Sequence, residues 1–222
     1  SVSESRTEDQ LDGAMLKEMR ERGVALETGG HSYEFFKGAE VVVPSPGVPL
    51  DLPVVIGAVE SGAVIAGELA LAAGRINTPV IAVTGSNGKT TVTSLIGHLL
   101  KADNREVFVG GNIGTPVLDY CRGPRNAQVL VLELSSFQLE IAGGFRPDIG
   151  LLLNLSPDHI DRHGSLARYA AAKRRIFARQ GVDDIAILGG DDSLVMQEEI
   201  TTAGTVLRFG VDPSSEAVVK EK

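Results

Sequence analysis

The sequence predicts an α/β protein with a mainly parallel sheet, divided into a short first unit and a larger second one. Short apolar runs alternate with segments of helical periodicity, the pattern of strand, helix and strand units. A glycine-rich turn, Gly85-Ser86-Asn87-Gly88-Lys89-Thr90, joins an apolar run to an amphipathic stretch. The 222 residues are 43% hydrophobic and 23% charged, an ordinary globular balance with enough chain for a sizeable core.

In chain order, the pattern predicts a helix over 8–22 and short strands over 40–43 and 63–65, sparse for a complete doubly wound domain. Further on it strengthens, with a strand over 80–83, a helix over 89–101, and strands over 107–109, 129–134 and 149–153. A helix over 166–180 and a strand over 184–188 follow. Residues 75–79 form the expected boundary, giving units 1–77 and 78–222. The tail FGVDPSSEAVVKEK stops without a closing element, and the start reads as the end of a strand, so a piece of a longer protein is expected.

The net charge of -8 argues against a nucleic-acid partner, which needs a basic face. The single cysteine, Cys121, has no internal partner, which fits a reducing compartment. The opening SVSESRTEDQ is polar, and no apolar run approaches the roughly 18 residues of a membrane span. A cytoplasmic, monomeric protein with no membrane partner is the expectation.

The turn at 85–90 has the setting of a phosphate loop, but it is shorter than GxxxxGK[ST]: the position of that pattern's first glycine is Val83. Glycines let backbone amides converge on phosphate oxygens, the following helix adds a favourable dipole, and Lys89 supplies a point charge. Thr90, followed by Thr91, is placed to bind magnesium. The plainer alternative is a strand-to-helix turn that binds nothing. In "VLVLELSSFQLE" Glu133 ends an apolar strand, and ligand crevices of parallel sheets lie beyond the carboxyl ends of strands. A carboxylate there suits a second magnesium ligand, the alternative being an edge carboxylate in water.

"LSPDHIDRHGS" crowds Asp158, His159, Asp161 and His163 after another strand end, as a metal loop or as caps and turns. Lys173 falls on the apolar stripe formed by Leu166, Tyr169, Ala170, Ile176 and Phe177. A lysine held against an apolar face has a lowered pKa and more neutral amine, which reacts with carbon dioxide to give a metal-binding carbamate. Periodicity alone favours the plainer reading, a packed stem with its head in water.

Together TGSNGKTT, GGNIG at 110–114, LELSSFQLE at 132–140, DHIDRHGS at 158–165 and YAAAKRRIF at 169–177 resemble the Mur ligases of peptidoglycan synthesis. GGNIG and ELSSFQLE resemble the branch that adds D-glutamate. The resemblance spans essentially the whole chain and is strongest over 80–177. It implies an incomplete Rossmann-like first domain, a P-loop-type central ATPase domain and a third domain absent from this chain. The implied substrates are ATP, UDP-N-acetylmuramoyl-L-alanine and D-glutamate, joined through an acyl phosphate.

Carried over by position, the resemblance implies that Gly85, Ser86, Asn87, Gly88, Lys89, Thr90 and Thr91 bind the nucleotide. Thr90 and Glu133 hold one magnesium, and His159 and a carbamylated Lys173 hold a second. Lys89, His159 and Lys173 serve catalysis, while Asn112 and Ser135 face the sugar nucleotide. Ser45, Pro46 and Gly47 resemble the uridine-binding loop, with Arg6 near the diphosphate. Where the family usually carries an Asn-x-Asp-Asp run near the adenine, this chain reads Gly189-Gly190-Asp191-Asp192, with a glycine at the asparagine's position. Without a third domain, the 222 residues alone are expected not to complete the ligation. The residues leave open a nucleotide-dependent switch, a metallohydrolase built on the 158–163 loop, and a folylpolyglutamate-synthase-like ligase.

Overall fold

The computed structural model describes residues 1–211 and 215–218. Contacts divide the chain into two compact units, one comprising Ser1–Pro44 and Val48–Ile65, the other Ser45–Gly47 and Ala66–Lys222.

In the first unit β1 (Val2–Glu4) leads through α1 (Gly13–Glu21) to β2 (Leu26–Thr28), which pairs with β1 in parallel. The helix expected over 8–22 is interrupted. A 3-10 turn at Glu8–Gln10 comes first, and Asp12 then starts α1 by accepting from the amides of Ala14 and Met15. After α2 (Tyr33–Phe36), β3 (Val41–Val42) leads through α3 (Pro53–Glu60) to β4 (Val64–Ile65), its parallel partner. Pro53 opens α3, where its missing N–H costs nothing. This helix carries no polar face in sequence, which is why periodicity did not reveal it.

The second unit starts with α4 (Glu68–Ala73), whose Leu69 and Ala72 are fully buried in that unit's core. That burial draws the division of the units ahead of residues 75–79. The sheet then collects β5 (Val80–Thr84), α5 (Lys89–Ala102), β6 (Val107–Gly111), α6 (Val117–Arg122), β7 (Val129–Glu133), α7 (Ser136–Glu140) and β8 (Ile149–Leu152). It continues through α8 (Ile160–His163), α9 (Leu166–Arg174), β9 (Ile185–Gly189), α10 (Ser193–Met196), β10 (Thr205–Gly210) and β11 (Ala217–Val218). The helix expected to reach residue 180 tightens after α9 into a 3-10 turn at Arg175–Phe177, while Ile176 and Phe177 stay buried.

The seven strands lie in the order β11-β10-β9-β8-β5-β7-β6, and every pairing is parallel. Apolar clusters cover both faces, as an all-parallel sheet requires. Val80, Ala82, Leu130, Leu132 and Leu152 face one cluster; Val83, Leu151 and Leu153 face the other. In the tail, Phe209 and Gly210 pair with Ala217 and Val218, and the rest of the expectation about its ending lies on 212–214 and 219–222, outside the described residues. Among the described residues no helix is long and apolar enough to cross a membrane.

Candidate functional site

The central strand β5 carries the chain to the carboxyl edge of the sheet, where the turn delivers it into α5. Gly88 caps that helix at φ +79°, a left-handed conformation that side chains resist. Lys89 folds back over the turn, donating from Nζ to the carbonyls of Gly85 and Ser86, both at 2.9 Å. Ser86 is buried, and its hydroxyl lies 3.0 Å from that of Tyr169. Asn87, Gly88, Thr90 and Thr91 are exposed.

Next to β5, strand β7 ends on Glu133, in register with Val83 on one side and Gly111 on the other. Glu133 is 2% exposed, so its carboxylate needs donors. Thr90 Oγ1 donates to Oε2 at 2.6 Å and Asn112 Nδ2 to Oε1 at 2.9 Å, both from neutral groups. Gly111 makes the second contact reachable. It sits at φ +98°, and a Cβ there would fall 2.5 Å from the Glu133 carbonyl oxygen, the atom that accepts the Asn112 N–H at 2.8 Å. Residues from TGSNGKTT, GGNIG and ELSS therefore meet on one carboxylate.

Lys173 is 2% exposed, its Nζ 2.9 Å from the Gly85 carbonyl oxygen and 4.6 Å from the centre of the Tyr169 ring. The side chain does not snorkel to water. Burial, then the charge of Lys89, pushes its amine down to about 7, against the opposing pull of Asp158 and Glu133.

The 158–163 loop divides. His159 caps α8 at φ +50°, exposed, its Nε2 3.5 Å from Asp158 Oδ2 and its ring 5.1 Å from that of Phe137. A non-glycine residue held in this region stores strain, as residues at functional sites often do. His163 turns inward. It is 3% exposed, with Nε2 2.9 Å from Ser136 Oγ and Nδ1 3.1 Å from Glu140 Oε1, and burial lowers its pKa. This serine, histidine and glutamate line has the order of a hydrolytic triad, but Ser136 is 2% exposed and closed to substrate. Asp161 stays exposed, and among the described residues no group of three or more His, Cys, Asp or Glu is placed to hold a metal. The metallohydrolase reading is corrected accordingly: its four residues do not converge, because His163 is drawn into the packing of α7.

Ser135 caps α7, accepting from the Gln138 amide at 3.2 Å and donating to Gln138 Oε1 at 3.1 Å. In the first unit Arg6 is exposed and pairs with Glu4 at 2.9 Å, which holds that carboxyl down at about 2. Ser45, Pro46 and Gly47 are exposed. Asp192 caps α10, accepting from Leu194 and Val195, and Asp191 accepts from Val211. The structure also adds Asn154 and Tyr169 as partners of the turn. For Asn154 the available signal was a polar residue directly after the run IGLLL.

A cavity of about 310 Å³ opens elsewhere, lined by Asn77, Thr78, Arg146 and Asp148 among others. It lies at the amino ends of β5 and β8, the opposite edge from the turn, whereas ligand crevices of parallel sheets lie at the carboxyl edge.

Residues 83–222 match the model of the Mur ligase middle domain. A UDP-N-acetylmuramoylalanine--D-glutamate ligase from Desulfotalea psychrophila is 47% identical over 98% of this chain and 48% of its own length. The chain thus spans about half the length of the curated relatives it matches. Among solved structures, UDP-N-acetylmuramate:L-alanyl-gamma-D-glutamyl-meso-diaminopimelate ligase from Neisseria meningitides aligns over 94% of this chain and 70% of its own, with TM-score 0.57 and 16% identity. MurF ligase from Thermotoga maritima, solved with ADP, aligns over 86% and 51%, with TM-score 0.55 and 24% identity. At such identities these two likenesses speak for the fold.

Proposed function

The chain belongs to the Mur ligase family, and on that footing we propose that it is part of an ATP-dependent, amide-forming ligase of peptidoglycan precursor synthesis. Its substrates in this reading are UDP-N-acetylmuramoyl-L-alanine and D-glutamate, supported by the names of the curated relatives. The observation that carries the reading is the meeting of Thr90 and Asn112 on buried Glu133, beside a turn whose Gly85 carbonyl binds both Lys89 and Lys173.

In the first step a carboxylate oxygen of the muramoyl peptide bonds to the γ-phosphorus of ATP as the bond to the bridging oxygen of ADP breaks. The amine of D-glutamate then attacks the acyl carbon, the C–N bond forms, phosphate leaves and the amine loses a proton. Both reactants of the first step are anions, so the site must supply positive charge. Lys89 does so by exchanging the Gly85 and Ser86 carbonyls for phosphate oxygens. The turn from Gly85 to Thr91 presents the start of α5 to the same phosphates.

Thr90 and Glu133 offer hydroxyl and carboxylate oxygens on one side of the turn, a donor set that fits magnesium. These residues would hold a magnesium ion there, which would offset phosphate charge as the phosphoryl group transfers. Asn112 keeps the carboxylate oriented from its other oxygen. His159 and Lys173 as an amine do not fit a second hard cation, which prefers oxygen. The fit comes from a carbamate: the neutral amine nitrogen bonds to the carbon of carbon dioxide and releases a proton, and an amine at about 7 is sufficiently neutral for this. In this reading Asn112 and Ser135 are contacts for the sugar nucleotide.

The test is phosphate release from ATP by the natural protein carrying this sequence, with magnesium and UDP-N-acetylmuramoyl-L-alanine, and with D-glutamate, L-glutamate or no amino acid. Release that depends on D-glutamate is expected. Release indifferent to the acceptor would replace this reading with a nucleotide switch.

A further inference from the structure

The pairing of β5 with β8 does not end with the two strands. Leu153 N donates to Thr84 O at 3.0 Å and Ser86 N to Asn154 O at 3.0 Å. The Asn154 side chain then takes over from the backbone. Its Oδ1 accepts the Asn87 N–H at 2.8 Å and its Nδ2 donates to the Asn87 carbonyl at 3.0 Å. A side-chain amide therefore mimics one more rung of the ladder, past the point where the backbones diverge. Among single substitutions at this reach, aspartate lacks the donor and glutamine is one methylene too long.

Ser156 adds to the anchor from the same segment. Its N–H donates to Ser86 Oγ at 2.9 Å, its carbonyl accepts from that hydroxyl at 3.1 Å, and its Oγ lies 3.3 Å from Asn87 Nδ2. Asp158 and His159 follow directly in the chain.

We propose that Asn154 is a positioning residue for the phosphate loop, fixing the Asn87 peptide so that the amides from Gly88 onward face an incoming phosphate. The assignment rests on the nucleotide-binding reading above. It also accounts for the shortness of the turn: with the Ser86 and Asn87 N–H groups committed to Asn154, the cradle begins at Gly88. Because residues 154–156 continue into Asp158 and His159, the anchor also registers the phosphate loop against the loop that carries the candidate second metal ligand.

Two measurements on the natural protein carrying this sequence separate the anchor from the nucleotide reading. Amide hydrogen exchange without nucleotide reports the anchor, and calorimetric titration with MgATP reports the site. In Asn154→Ala, exchange of the Asn87 amide, which loses its acceptor, should quicken about ten-fold while the Ser86 amide keeps its bond to the residue 154 carbonyl and β6 and β7 stay protected. MgATP affinity should fall about ten-fold, the loss of two hydrogen bonds that hold a donor array in place. Ser156→Ala, which leaves both Asn154 bonds intact, should stay within about two-fold of wild type.

Unchanged exchange of the Asn87 amide in Asn154→Ala would overturn the anchor. Faster exchange with wild-type MgATP affinity would overturn the positioning role, as would an affinity loss in Ser156→Ala equal to that in Asn154→Ala. A wild-type protein with a protected Asn87 amide but no MgATP binding would overturn the nucleotide reading and the positioning role with it, leaving the anchor as a feature of the fold.

Discussion

Lys89 and Lys173 donate to one acceptor, the carbonyl oxygen of Gly85, each at 2.9 Å. Two ammonium ions this close repel, and the strain falls on the one that has lost its water. Lys173 is buried, and both its burial and the charge of Lys89 favour the neutral amine. Near neutral pH a large share of Lys173 is therefore neutral amine, with a free lone pair on its nitrogen.

Stability should record this shift. The Lys173 amine titrates at about 7 in the folded chain against 10.5 when free, so the unfolded chain binds more protons between those values. Stability then rises with pH across that window, in full effect above the unfolded pKa and lost as pH falls through the folded one. Lys173→Met keeps the stem and removes the titration. Urea midpoints from pH 6.5 to about 9.5 should show the wild type gaining on the variant as pH rises. Parallel curves would mean that the amine is not depressed.

Glu133→Gln keeps an oxygen for Thr90 or Asn112 but removes the charge. Burying a neutral amide is easier than burying a carboxylate, so the thermal midpoint should hold or rise. MgATP binding should weaken by about ten-fold or more, and added magnesium should no longer strengthen nucleotide binding. Titrations with ATP at several magnesium concentrations decide it, and a variant that keeps the full magnesium dependence would remove Glu133 from the metal site.

The strands that build the site were legible because each is a short apolar run ending in a turn, and β5, β7 and β8 matched expectation to within one residue. The short helices were not. α7 and α8 are set by capping at Ser135 and by the left-handed His159 rather than by any apolar period, and α10 by Asp192. Lys173 was ambiguous for a different reason. Periodicity places a lysine on a stripe but does not tell a stem that packs from a head that is buried, a distinction made here by the Gly85 carbonyl and the Tyr169 ring. The split of the 158–163 loop was beyond sequence altogether, since it depends on Ser136 and Glu140 waiting across the fold for His163.

At the other edge of the sheet, Arg146 grips Asp184 with both arms of its guanidinium, at 2.6 and 2.8 Å. Burial pushes the Asp184 carboxyl up, but Arg146 and the Gly181 amide outweigh it and leave the pKa below its ordinary value. A depressed carboxyl stabilises the fold above its unfolded pKa and loses that contribution as pH falls through the folded one. Arg146→Ala leaves a buried carboxylate with less support, so the chain should lose stability at neutral pH. Denaturation at pH 7 and at about pH 3 should show the gap closing in acid. A gap of equal size at both would assign the loss to packing.

Gly111→Ala tests whether the geometry around Glu133 is built from the backbone. The added methyl would lie 2.5 Å from the Glu133 carbonyl oxygen, at a φ of +98° that side chains avoid. Neither problem is relieved by a rotamer change, because the obstacle is backbone on the neighbouring strand. Gly114, in the same GGNIG run, also has a positive φ of +58°, but a methyl there meets nothing within 4 Å. Gly114→Ala should therefore cost only the left-handed penalty, about 1–2 kcal/mol, while Gly111→Ala should cost about 2–4 kcal/mol by adding the clash. The two should also differ in function. To clear the clash, the end of β6 must move off β7 and carry Asn112 away from both Glu133 contacts, so MgATP affinity should fall in Gly111→Ala and hold in Gly114→Ala. Equal losses of stability and affinity in the two variants would show that conformational strain, not the approach of Gly111 to Glu133, is what the motif's glycines provide.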